Sequence, residues 1–176
     1  MSGHSKWSQI KRQKGSEDAK RSKVFAKLAR AISQESKRVK GDASSPGLRV
    51  MIEKAKKENM PKDTIERAVK KGTSADMGEL FEVMYEAYGP GGSAILIEGL
   101  TDSKNRSAAE IKHLLSLHGS ALASQGAAAW AFAKENGEWI PQVTVPLSDE
   151  DGEKLSLLIE ELEEREDVQD VYTNGN

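Results

Sequence analysis

The side chains best suited to chemistry with a polyanion lie in the first 30 residues. Nine of those residues are basic, against the two acids Glu17 and Asp18. Lysine and arginine neutralise phosphates, and the indole of Trp7 offers a flat surface on which an unstacked base can lie. The candidate nucleic-acid-binding residues here are His4, Lys6, Trp7, Lys11, Arg12, Lys14, Lys20, Arg21, Lys23, Lys27 and Arg30. Two plainer interpretations stay open: a solvated lysine-rich helix face, and a Trp7 packed against the protein.

A second candidate is the polar segment 101–107, between a predicted strand and a predicted helix. Lys104, Asn105 and Arg106 stand where a helix begins, and a helix N-terminus favours anions. These three residues are predicted to hold a phosphate or the edge of an RNA base. Equally, Asp102 and Asn105 are residues that shape turns without any ligand.

Catalytic and metal chemistry find little support in the sequence. There is no cysteine, which excludes disulfides, thiol catalysis and zinc sites of the cysteine type. The three histidines, His4, His113 and His118, show no metal-binding spacing. The glycines after Tyr88 form no phosphate-binding Walker loop, and Pro90-Gly91 predicts a type II turn instead. We therefore expect no enzyme activity, no cofactor, no metal and no small-molecule substrate.

The net charge of −2 conceals two oppositely charged halves. Residues 1–72 hold 20 basic and 8 acidic side chains, whereas residues 73–176 hold 6 basic and 20 acidic ones. Such a distribution attracts polyanions to one end and repels them from the other. Nucleic acid is therefore the leading candidate partner.

Composition indicates a soluble globular protein, with 37% hydrophobic and 31% charged residues. The longest apolar runs are too short to cross a bilayer, and the basic N-terminus is not followed by an apolar stretch. The expected location is the cytoplasm, without a membrane partner and as a monomer.

The amino-terminal half is predicted to be a basic arm over residues 1–15 and a three-helix bundle over residues 16–72. The first helix begins after Ser16 as N-cap, and Val24, Phe25, Leu28 and Ile32 form its packed face. A second helix begins at Ser45-Pro46, and a third follows the Asn59-Met60-Pro61 break. Gly72 is predicted to end this third helix in a left-handed conformation.

The carboxy-terminal half follows a linker at 73–79 and is predicted to be an α/β domain over residues 80–176. Alternating apolar residues predict five strands, at 81–88, 94–100, 127–133, 143–147 and 168–173. One helix is expected to begin at a capping box of Ser107 and Glu110 and to stop at Gly119, and another to begin at Ser148. The order predicts an α+β fold of ferredoxin-like type, with an antiparallel sheet and two helices on one face.

Several motifs spread over nearly the whole chain closely resemble the YebC/PmpR family. They are Gly3-His4-Ser5-Lys6-Trp7, Ile10-Lys11, Asp18-Ala19-Lys20-Arg21, Tyr88-Gly89-Pro90-Gly91-Gly92, Thr101-Asp102, Lys104-Asn105-Arg106 and Asp167-Val168-Gln169-Asp170-Val171-Tyr172-Thr173-Asn174. The resemblance implies a helical N-terminal domain followed by ferredoxin-like domains. It also implies regulation of gene expression, because the family includes probable transcriptional regulators and the mitochondrial translational activator of cytochrome oxidase subunit I. Bacterial members are linked to easing ribosomes through proline-rich stretches.

The sequence departs from that family at one place. Typical members carry a third α/β domain inserted between the third and fourth strands of the middle domain. Here Trp130 to Ala133 leads through residues 134–138 directly to Trp139 and Ile140, which predicts a short hairpin in a short form of the family. The cationic arm and the 104–106 segment are retained.

Three functions remain open on the sequence. The preferred one is a non-enzymatic, ribosome-associated translation factor that binds ribosomal or transfer RNA and relieves stalling. The alternative is a DNA-binding transcriptional regulator, although no recognition helix of the helix-turn-helix type stands out. The third is a protein-interaction adaptor whose basic end docks on an acidic partner.

Overall fold

The computed structural model describes residues 17–176, and these fall into two compact units, residues 17–80 and residues 81–176. Ser16 and the arm residues His4, Lys6, Trp7, Lys11, Arg12 and Lys14 lie outside the described residues.

The first unit consists of three helices. They are α1 (Glu17–Arg38), α2 (Pro46–Lys57) and α3 (Lys62–Gly72). The predicted start of α2 is confirmed, because the Ser45 side chain accepts a hydrogen bond from the backbone N–H of Leu48 and Pro46 is the first helical residue. Ile32, Leu48 and Ile65, one from each helix, meet in the buried core.

The end of α3 differs from the prediction at Gly72. This glycine is the last residue of the helix and is not among the residues with positive φ. Its role is close packing against α1, because a Cβ at Gly72 would lie only 2.6 Å from the Cβ of Ser36 and closer still to the carbonyl oxygen of Ser33. Two hydroxyls of α1 reinforce this contact: Ser33 donates to the carbonyl of Ala68 and Ser36 to that of Val69.

The second unit is built on a four-stranded antiparallel sheet in the order β3-β1-β2-β6. Its elements are β1 (Phe81–Tyr88), β2 (Ala94–Thr101), α4 (Lys104–Leu117), β3 (Ala121–Ala123), β4 (Phe132–Glu135), β5 (Glu138–Pro141), α5 (Asp149–Glu163) and β6 (Val168–Thr173). Strands β1 and β2 form the central hairpin, and each outer strand follows a helix. The predicted α+β class is confirmed.

The two faces of the sheet bury different partners. Ile95 and Ile97 of β2 point to one face, where they pack with Leu114 of α4 and Leu158 of α5. The intervening residue Leu96 points to the other face, which the 128–141 segment covers. Both helices therefore share one face, as the alternation along β2 predicts.

The turn between β1 and β2 has the predicted type II geometry. Pro90 occupies its second position, Gly91 has φ 68° and ψ 10°, and the N–H of Gly92 donates to the carbonyl of Gly89 at 3.1 Å. Only glycine adopts this backbone conformation without strain.

Of the five predicted strands, 143–147 is wrong, and 127–133 is wrong except at its end, where Phe132 and Ala133 begin β4. Within 127–133 the chain makes a single 3₁₀ turn at Ala129–Ala131, and the strand that pairs with β1 lies earlier, at β3. The reason is that the amides of Ala128 and Ala129 donate to the Glu86 carboxylate at 2.8 Å each, so they cannot join a strand ladder.

The segment 143–147 is likewise not a strand and makes only an isolated parallel bridge between Val145 and Gly175. The N–H groups of Val145 and Leu147 donate to the carbonyls of Asn174 and Asn176, whereas those of Gln142 and Val143 are directed to the carbonyl of Ala131, so the pairing does not extend toward 143. By contrast, the predicted hairpin is present as β4 and β5, which turn directly through Asn136 and Gly137, both at positive φ.

Helix α4 begins one turn earlier than predicted. Ser103 is its N-cap and accepts a hydrogen bond from the N–H of Arg106, whereas Ser107 lies inside the first turn. The Ser107 hydroxyl instead receives the hydroxyl proton of Tyr85 at 2.9 Å, which ties α4 to β1. The predicted stop is confirmed, since Gly119 follows the helix with φ 71°.

Candidate nucleic-acid interface

Helix α1 separates an apolar side from a basic side. Phe25, Leu28 and Ile32 pack in the core of the helical unit, while Val24, which was expected to pack with them, is 38% exposed. The predicted binding residues on this helix are Lys20, Arg21, Lys23, Lys27 and Arg30, all of them exposed or half-buried. Arg21 lies near the apolar stripe on the helical wheel, and the other four gather on the opposite side. Cationic side chains along a helix can follow a phosphate backbone, so the arrangement suits sequence-independent contact with a polyanion.

The three residues of the second candidate come together in the first turn of α4 and have different surroundings. The ammonium group of Lys104 lies 5.1 Å from the centroid of the Phe81 ring, a cation–π contact. Asn105 is exposed. Lys104 and Asn105 are therefore both at the surface beside a helix N-terminus.

Arg106 is held by carboxylates. Its guanidinium lies 2.7 Å from Asp102, 2.8 Å from Asp167 and 3.8 Å from Glu110. Hydrogen bonds to Asp167 and then Asp102, with their negative charges, raise the pKa of Arg106 further above its already high value. Asp167 is buried and also accepts the hydroxyl of Thr101 at 2.9 Å. A phosphate at Arg106 has to compete with these three acids, and the prediction of a phosphate contact there stays a prediction.

The histidines and acids of the described residues form no metal-binding group. Within residues 17–176 there is no cluster of three or more His, Asp or Glu side chains positioned to hold an ion. His118 Nε2 instead lies 3.0 Å from a carboxylate oxygen of Glu161, which links α4 to α5. No helix of this part of the chain is long and apolar enough to span a membrane.

The second unit, residues 81–176, which we call the acidic unit, carries an exposed aromatic pair that was not predicted from the sequence. Trp130 is 63% exposed, and its indole N–H donates to the hydroxyl of Tyr88 at 3.1 Å. The Tyr88 hydroxyl in turn donates to the carbonyl of Ala127. The available signal was a tryptophan at the end of the alanine run 127–129.

Glu86 fixes the loop that carries this tryptophan. Its buried carboxylate accepts the backbone N–H groups of Gly126, Ala128 and Ala129. Burial alone raises the pKa of Glu86, but the three N–H donors more than offset it, so the pKa lies below its usual value. The loop is therefore tied to β1 by an ionised group.

Known protein families match both units. The TACO1/YebC protein N-terminal domain matches residues 5–75, and the TACO1/YebC second and third domain matches residues 80–137 and 133–175. The chain belongs to the TACO1/YebC family. The two matches of the second description meet within 133–137, at the β4–β5 hairpin. In this chain the β4–β5 hairpin therefore lies at the boundary between the two segments that match the second and third domain of TACO1/YebC proteins.

Relatives in the TACO1/YebC family are longer. A "Probable transcriptional regulatory protein" of Petrotoga mobilis is 48% identical over 98% of this chain and 70% of its own length. One of Thermosipho africanus is 37% identical over an alignment of 235 residues, which covers 99% of this chain and 93% of the relative. Because this chain has 176 residues, the Thermosipho protein carries an internal stretch without a counterpart here. The chain is a short form of the family.

A solved structure supports the same fold. The crystal structure of a conserved hypothetical protein from Aquifex aeolicus superposes with a TM-score of 0.78 over 90% of this chain and 91% of that one, at 29% sequence identity. The TACO1/YebC architecture of a helical unit followed by an α/β unit is therefore present in this chain.

Proposed function

We propose that this chain is a non-enzymatic nucleic-acid-binding regulator of gene expression that acts as a ribosome-associated translation factor. The observation that carries the proposal is the amphipathic helix α1, whose apolar side is packed and whose other side is cationic, in the half of the chain with 20 basic and 8 acidic residues. The predicted contacts are the arm, the α1 cations and the 104–106 turn. The acidic second half would limit indiscriminate binding, since it repels polyanions.

The second candidate is a DNA-binding transcriptional regulator. It is favoured by the names of the relatives from Petrotoga mobilis and Thermosipho africanus, which are both called probable transcriptional regulatory proteins. Both candidate functions use the same cationic surface, but the first binds RNA and the second binds DNA.

Fractionation of cell extract distinguishes them. On a sucrose gradient, co-migration with ribosomes that survives DNase and is lost after deletion of the first 16 residues, which leaves α1 whole, supports the translation factor. A DNase-sensitive fraction favours the transcriptional regulator. A chain that associates with neither polymer is an adaptor, and both nucleic-acid functions are then wrong.

Charge reversal tests the surface itself. We expect Lys20→Glu with Lys23→Glu to weaken binding of single-stranded RNA by about tenfold and to make the log–log salt slope shallower by about 0.7 per lost phosphate contact. The matched control is Lys54→Glu with Lys71→Glu, which makes the same charge change elsewhere on the helical unit. Equal losses in the two variants would show general charge attraction and contradict a site on α1. Thermal melting of both variants checks that the fold is kept.

A further inference from the structure

The helical unit contains a groove that the nucleic-acid proposal does not use. It has a volume of about 670 Å³ and is bordered by α2, α3 and the turn before α2. Its floor includes the aliphatic side chains of Ile52, Ile65 and Val69, of which Ile52 and Val69 are only half-buried. Part of the apolar surface of the helical unit is therefore left open in this groove.

The rim of the groove is positively charged. Lys40, Lys56, Lys62 and Lys70 line it, with Glu66 as the single acid among the lining residues. Glu66 lies 3.7 Å from Lys62, but both side chains are largely exposed and such pairs contribute little. An occupant of this groove thus has to be apolar at its centre and acidic at its edges.

The aliphatic floor of the groove favours an acidic protein segment over a nucleic acid as the occupant. Unstacked bases bind on aromatic rings, and among residues 17–176 no aromatic side chain lines this groove. A base on an aliphatic floor would also leave the polar groups of its edge without partners. Aliphatic side chains at helical positions i, i+3, i+4 and i+7 fit such a floor, and flanking acids complement the lysines. We propose that the groove binds an amphipathic helix with acidic flanks from a partner protein.

This chain does not supply the occupant itself. Residues 1–16 contain four Lys and Arg and no acid, so the rim repels them. Helix α5 is acidic and amphipathic, but Leu155, Leu158 and Leu162 are fully buried in the core of its own unit. A second copy could offer that face only by unfolding. The partner is therefore a different protein.

Binding of a designed peptide to the full chain tests the proposal. The probe is a fluorescein-labelled peptide of about 18 residues, with leucines at the i, i+3, i+4 and i+7 positions and glutamates on the opposite face. The control peptide has the same composition in a scrambled order that destroys the apolar stripe. We expect fluorescence anisotropy to show binding of the patterned peptide about tenfold or more tighter than the scrambled one.

Two kinds of variant locate the binding. Lys56→Glu with Lys70→Glu changes one rim lysine near the end of each of α2 and α3, and should weaken binding about tenfold. The control, Lys54→Glu with Lys71→Glu, makes the same change in the same helix turns outside the groove and should stay within about twofold. Ala43→Trp fills the mouth at an exposed lining residue outside the helices and should also weaken binding.

Several results would overturn the proposal. One is equal binding of the patterned and scrambled peptides, and another is equal weakening by the rim and control variants. A third is full binding to Ala43→Trp with unchanged melting temperature. Single-stranded RNA of the same charge gives a further check. If RNA loses affinity in the rim variant and in Ala43→Trp but does not displace the peptide, then RNA binds in the groove and the peptide binds elsewhere, and the groove is a nucleotide site. A chain that binds the patterned peptide but no nucleic acid leaves this proposal intact while the proposed function fails, so failure of the two proposals is distinguishable.

Discussion

The guanidinium of Arg106 lies 2.8 Å from the buried carboxylate of Asp167, across 61 positions of the chain. Arg106 is in the first turn of α4, and Asp167 directly precedes β6. Thr101, at the end of β2, donates its hydroxyl to the same carboxylate oxygen. One acid thus joins three elements at a single corner of the acidic unit.

Arg106→Ala is expected to lower the melting temperature by several degrees, because it leaves the buried carboxylate of Asp167 without its cation. Asn105→Ala, at the adjacent exposed position of the same turn, should leave the melting temperature unchanged. Calorimetry and RNA-affinity measurements on both variants distinguish a structural role of Arg106 from a role in RNA binding. An Arg106→Ala variant that melts normally and loses RNA affinity would show that the guanidinium serves phosphate rather than Asp167.

Glu86→Gln should destabilise the acidic unit by about 1–3 kcal/mol at neutral pH, since an ionised acceptor of three backbone N–H groups is replaced by a neutral one. Urea unfolding at pH 7 measures the difference. Glu82→Gln, an exposed change on the same strand, is the matched control and should lie within about 0.5 kcal/mol of the parent.

The effect of Glu86 should also depend on pH. Its pKa in the folded chain is below the usual glutamate value of about 4.3, so the stabilisation is fully present above that value. It is lost as the pH falls through the lower, folded-state pKa. The parent and Glu86→Gln should therefore converge in stability as the pH falls below the usual glutamate value and through the lower, folded-state pKa. A gap that stays constant on acidification would contradict an ionised Glu86.

Local signals in the sequence predict the elements whose ends are fixed by their own residues. Ser45-Pro46, Ser148 and Pro90-Gly91 each contain the cap or turn that they make, so the starts of α2 and α5 and the β1–β2 turn follow from neighbouring positions. The conformation of the 127–133 segment is not set by its neighbours in the sequence, because Glu86, about 40 residues earlier, accepts hydrogen bonds from its backbone N–H groups. The role of Gly72 is likewise not visible locally, because it depends on the close approach of Ser33 in another helix.

Some residues of the candidate sites can also be predicted from the sequence, whereas others are brought together only by the fold. The α1 cations follow one helical wheel and are visible in the sequence, and their role stays a prediction. The lysines of the groove are spread from Lys40 to Lys70, and only the packing of α2 and α3 brings them to one rim. The carboxylates around Arg106 include Asp167, whose position next to α4 depends on the whole sheet.

Gly72→Ala should cost about 1–3 kcal/mol in the stability of the helical unit, although alanine is the better helix former. The added methyl group would overlap the carbonyl of Ser33 and the side chain of Ser36, both at the α1–α3 contact. Gly78→Ala is the control, because nothing lies within 4 Å of the position of its Cβ. Urea denaturation of the two variants should give a clear loss for the first and almost none for the second. Similar values would mean that the α1–α3 contact relaxes freely.

The two tryptophans near the β4–β5 hairpin should respond very differently to truncation. Trp139 is half-buried, packs on the sheet face opposite the helices and donates its indole N–H to Glu98 at 2.8 Å. We expect Trp139→Ala to cost about 2–4 kcal/mol. Trp130 is mostly exposed, so Trp130→Ala should cost less than about 1 kcal/mol, mainly from its bond to Tyr88. Urea denaturation of the two variants measures both values. Equal losses would mean that the Trp130 ring is buried in solution, and its exposed position on the acidic unit would then be wrong.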